Sequence, residues 1–138
     1  MDLFERLWYI LTRSSFVLFM ASMTCLFVTV TGVHFWITDY FTQVLSVEPG
    51  AAYRLYLISA LGGPACGILC CAFLFDRIGG YTSEYAQPVC LSVGCAGMVF
   101  ALASVIVRDN PTACAVLISL EFFCGAFIKP AMAGLMLN

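Results

Sequence analysis

Four stretches of this chain, residues 15–37, 53–75, 87–107 and 112–137, run on with scarcely a charged side chain. A helix needs about 20 residues to cross the hydrocarbon core of a bilayer. Only helices and closed barrels satisfy their backbone hydrogen bonds there. None of the four runs keeps the two-residue alternation of a barrel strand. The pattern therefore predicts an all-α integral membrane protein with four spans. Composition argues against the soluble alternative. Of 138 residues, 62% are hydrophobic and 10% charged, against about 25% charged in a soluble domain. A soluble core of this size could not hide the excess. The net charge of −2 offers no basic field to nucleic acid.

The breaks between the runs carry turn chemistry. Glu48-Pro49-Gly50 separates the first two, residues 76–85 the next two, and residues 108–112 the last two. Asn110 is placed to cap the fourth helix and Pro111 to start it. Loops this short predict antiparallel neighbours. Residues 1–14 read as an interfacial amphipathic segment, with Leu3, Phe4, Leu7, Trp8 and Leu11 at helical spacing. Residues 15–138 form the four-helix transmembrane region. The opening MDLFER lacks the positive start of a signal peptide. Residues 38–47 mix Asp39, Thr42 and Gln43 with Phe41 and Leu45, and read as the polar mouth of the first helix plus a short loop. Arg6, Arg13 and Arg77 share one side, against Arg54 and Arg108 on the other. This balance leans toward a cytoplasmic N-terminus.

Eight cysteines lie within apolar runs, with no CxxC pair and a single histidine in the chain. They read as small packing residues, not as metal ligands or a disulfide framework. No nucleophile–base pair and no phosphate-cradling loop appears, so neither catalytic residues nor a cofactor are expected. The partner that composition implies is the lipid bilayer.

A few polar residues stand out against this background. Asp76 ends the second run, where the helix dipole disfavours an acid, and so calls for a donor from elsewhere. Arg77 suits the same end and can reach lipid headgroups. Gly79 and Gly80 permit a tight turn. Glu121 falls near mid-depth in the fourth run, where a carboxylate costs about 2.5–3.5 kcal/mol. It is either a pathway or coupling group or a protonated acid bonded to a neighbouring helix. Lys129 is eight residues on, about 12 Å along the axis, and snorkels to the interface or serves the same pathway. His34 sits near the polar end of the first run, as an interfacial hydrogen-bonder or a coupling group, with Asp39 beyond it. Thr24, Thr29 and Thr31 are expected to bond back to their own helix or across to a neighbour. Gly63, Gly67, Gly94 and Gly97 have the spacing of close helix packing, and Pro64 predicts a bend.

The segment Ala72-Phe73-Leu74-Phe75-Asp76-Arg77-Ile78-Gly79-Gly80-Tyr81 resembles the loop motif of the major facilitator superfamily, roughly G-x-L-x-D-R-x-G-R-R. Leu74, Asp76, Arg77 and Gly79 match it. Ala72 stands at the first glycine, and Gly80 and Tyr81 at the trailing basic residues. In that family the second copy, between helices eight and nine, is commonly degenerate in this way. Residues 31–41, TGVHFWITDYF, are similar to the seventh-helix exit of spinster-like members. The resemblance covers the first two spans. It implies helices seven to ten of a twelve-helix secondary transporter, a cytoplasmic 76–87 loop and alternating access. It also implies a lipid-like or other small-molecule substrate, and partner helices from a longer parent or a second copy. Two other readings stay open: a self-contained, dimeric, proton-coupled four-helix transporter using Glu121, and a non-transporting membrane scaffold subunit. A plasma-membrane and an endolysosomal location fit equally.

Overall fold

The structure, a computed structural model, describes residues 12–107 and 109–137. Most of the expected amphipathic segment 1–14 lies outside the described residues, as does Arg108. Four helices are long and apolar enough to cross a membrane, and no strand occurs among the described residues. They are α1 (Ser14–Asp39), α2 (Pro49–Arg77), α3 (Ala86–Ile106) and α4 (Pro111–Leu137). The chain divides into two units, residues 1–33 and 34–138.

In the first unit three hydroxyls of α1 are satisfied by α1 itself. Ser22, Thr24 and Thr29 donate to the carbonyls of Leu18, Met20 and Cys25 at 2.8, 2.7 and 2.9 Å. Bonding four residues back leaves an apolar exterior despite the polar side chains.

The second unit opens differently from the expected mouth and loop. The helix continues past Ile37 to Asp39, and a π-helical turn follows over Tyr40–Val44. Its signature is the Leu45 N–H donating to the Tyr40 carbonyl at 3.2 Å. Phe41, expected at a polar mouth, is completely buried, and Ile37 nearly so. Tertiary burial of these two side chains extends the helix beyond the apolar run. Ser46, at φ 53, then reverses the chain before Pro49 starts α2.

The packing centre of this unit is α4, which pairs extensively with both α2 and α3. The buried Ser59 hydroxyl of α2 donates to the Ala115 carbonyl at 3.1 Å, across 56 residues. The same offset brings Gly63 against Ser119 and Gly67 against Phe123. A constant offset means that α2 and α4 run in the same direction, through three contacts one turn apart. On the other side Gly97 meets Cys124, Gly94 meets Ile128, and the Cys114 thiol donates to the Ser104 carbonyl at 3.4 Å. Here one number falls as the other rises, so α3 runs against α4. The closest helix pair is thus a parallel one, between second neighbours in sequence.

Local chemistry sets the helix ends. Asn110 accepts from the backbone N–H groups of Thr112 and Ala113 at 3.1 and 3.2 Å, with Pro111 in the first helical position. At the other end of the bundle α2 stops in a Schellman motif. Gly79 (φ 92) and Gly80 (φ 87) are both left-handed, and the Gly80 N–H donates to the Phe75 carbonyl at 2.8 Å. A Cβ at Gly79 would meet nothing within 4 Å, so its glycine is required by conformation alone. Gly79→Ala is expected to cost about 1–2 kcal/mol, seen as a lower melting midpoint in detergent. An unchanged midpoint would show that the motif does not form.

Candidate functional site

Two groups of the polar residues singled out above occupy different depths. The first lies at the α2–α3 end. Leu74 is half-buried and packs on the core cluster of Cys71, Phe75, Ala86, Phe127 and Ala131. Asp76 and Arg77, two and three residues on, are exposed. The Arg77 guanidinium lies 4.3 Å above the Phe73 ring, one turn back on its own helix. The pair is therefore presented outward from a glycine-terminated helix end. Tyr81 follows and folds back onto the bundle, stacked on Phe75 at 4.7 Å between centroids. Burial, and then the nearby thiols of Cys71 and Cys90, push its phenol above the usual tyrosine range.

The second group lies deep in the bundle. By the α2–α4 offset, Glu121 is level with Ala65, eleven residues from both Arg54 and Asp76. At 1.5 Å per residue that is about 16 Å from either charged end, about half the thickness of a ~30 Å hydrocarbon core. Glu121 is half-buried. It shares the α3-facing side of α4 with Cys114 and Cys124, at helical intervals of seven and three residues. Its neighbour Phe122 is buried and points to the other side.

The His34 ring is stacked on Phe122, 4.4 Å between centroids and 11° from parallel. Its Nδ1 lies 3.4 Å from the Tyr56 hydroxyl, and the two rings meet edge-on at 5.9 Å. His34 was expected near the end of the first span. The helical segment runs ten residues further, to Val44, and Phe122 is level with Cys66 in mid-α2. His34 therefore sits inside a three-helix junction. Lys129 is half-buried, two turns beyond Phe122 on α4. Asp39 remains exposed beside the π turn, where its carbonyl accepts from the Thr42 hydroxyl at 3.2 Å. The structure thus gathers His34, Tyr56 and Phe122, places Glu121 behind Phe122, and leaves Asp39 apart.

Tyr56 and Phe122 were not anticipated. A signal for Tyr56 was present: Tyr56, Ser59, Gly63 and Gly67 recur at intervals of three and four on one face of α2. The four packing glycines divide into two pairs. Gly63 and Gly67 rest on α4 backbone, at the Ser119 and Phe123 carbonyls, while Gly94 and Gly97 rest on the Ile128 and Cys124 side chains. All eight cysteines are free thiols. Among the described residues no three metal-ligating side chains converge. Comparison of the chain with protein-family models, curated proteins and solved structures finds no match.

Proposed function

We propose that the chain is part of a secondary active transporter of the major facilitator type. It would work by alternating access, with further helices from a longer parent or a second copy completing the pathway. One observation carries the reading: Asp76 and Arg77 stand exposed on a helix end stopped at Gly79, in a short loop to the next span. An acid there faces the negative pole of its own helix, so it gains most by meeting a donor on a moving neighbour. In this reading Asp76 latches the cytoplasmic side and releases as the halves rock. In the same reading Glu121 serves the pathway, with His34 against the adjacent Phe122 and Lys129 two turns further along α4. The lipid-like substrate class rests on the spinster-like resemblance of residues 31–41.

The test is uptake of a fluorescent lysophospholipid by cells expressing the gene from its own locus. Asp76→Asn is expected to reduce uptake about tenfold at unchanged protein abundance, the loss of a roughly 1.4 kcal/mol coupling. Uptake equal to the parent protein would remove the latch role. Parent cells that take up no probe would exclude this substrate class.

A further inference from the structure

We propose that Tyr81 is a displaceable wedge between the loop-side ends of α2 and α4, whose seating closes that end of the bundle. The inference concerns conformation and holds whatever the cargo. Midway along the pair, Gly63 and Gly67 bring the two helices into backbone contact. At the loop end the arrangement changes, and an aromatic ring is interposed. One face of Tyr81 stacks on Phe75 of α2, 28° from parallel. The ring also fills the space above Gly134 of α4, where any Cβ would run into its Cγ, Cδ1 and Cδ2 atoms. A glycine thus stands where the ring needs room.

Two features make the ring removable. The loop that carries it is aimed by Gly79 and Gly80, which rest against nothing within 4 Å of a Cβ. The loop residues packed against the cluster are Ile78 and Tyr81. Tyr81 is also only half-buried, so unseating it forfeits one stacked contact and part of a ring's packing. Beneath it lie Cys71 and Ala131, both completely buried, and Phe75, with Phe127 6.2 Å away between centroids. Lifting the ring uncovers this cluster without breaking the glycine contacts midway.

Cys71 reports the opening. In a variant keeping Cys71 and replacing the other seven cysteines by alanine, N-ethylmaleimide labelling is followed in lipid vesicles. Tyr81→Ala is expected to speed labelling about tenfold, as for a locally opened segment, while Tyr81→Phe stays within about twofold. Gly134→Ala, which pushes the ring out, is expected to match Tyr81→Ala and to add nothing in its background. Labelling as slow in Tyr81→Ala as in the parent overturns the proposal. So does a Gly134→Ala effect that persists undiminished without the tyrosine ring. If Tyr81→Ala does not fold, Gly134→Ala alone decides, and parental labelling there is the refuting result.

Discussion

Gly67→Val is expected to break the α2–α4 pair and to lower the thermal midpoint in detergent by about 10 °C. A Cβ at Gly67 would run into the Phe123 carbonyl oxygen, with the carbonyl carbon and Cα close behind. Backbone cannot swing aside as a flexible side chain can, so the helices must separate. Overpacking of this kind costs about 3 kcal/mol, or roughly 10 °C for a chain of this size. Lipid makes the loss more complete. The tails are as apolar as the helix faces, so close packing and a few interhelical hydrogen bonds hold the pair. Separation also forfeits the Ser59 bond to Ala115, one turn beyond Gly63. The control is Gly62→Val, four residues before Cys66 on the exposed side of α2, where a Cβ meets nothing within 4 Å. It is expected to leave the midpoint within a degree or two, because surface substitutions stay near ±0.5 kcal/mol. Equal effects of the two variants would refute the pairing register.

Glu121→Leu is expected to give a protein at least as stable as the parent that takes up no lysophospholipid probe above background. The two halves of this result carry different information. A mid-membrane carboxylate costs about 2.5–3.5 kcal/mol to insert, and leucine removes that cost. A residue kept for structure, bonded to a neighbouring helix, would instead show a loss of stability on removal. Melting in detergent separates the two, and uptake shows whether the stabilised protein has lost its activity. A destabilised Glu121→Leu would assign the acid to helix association. A stable variant with full uptake would remove Glu121 from the pathway.

The number of spans was legible because crossing a bilayer imposes a length that composition must honour. The Asn110 cap and the Gly63–Gly67 contact were legible for a similar reason: each depends on residues one to four positions apart. The end of the first span was not. Residues 38–47 are mixed in polarity, and only the burial of Phe41 draws the first seven of them into a helix. Helices that are apolar all round also hide which face points inward, so the position of α4 between α2 and α3 left no trace in periodicity. The surroundings of His34 were hidden for both reasons. Its level follows from the longer helix and from the stacked Phe122, eighty-eight residues away. Tyr81 stood in the motif as a departure, a ring in the place of a basic residue. Its close approach to α4 became visible only with Gly134 opposite.

The 56-residue register between α2 and α4 has a consequence for how the chain is made. Each of its contacts joins a residue to one that the ribosome adds 56 positions later. Synthesis proceeds at about 5–20 residues per second, so α2 enters the bilayer roughly 3–11 s before its partner. Throughout that interval the Gly63–Gly67 face is open to lipid and to any other small-residue helix nearby. The period of greatest exposure to mispairing is therefore set by the length of α3 and its two loops, and shortening either loop would narrow it.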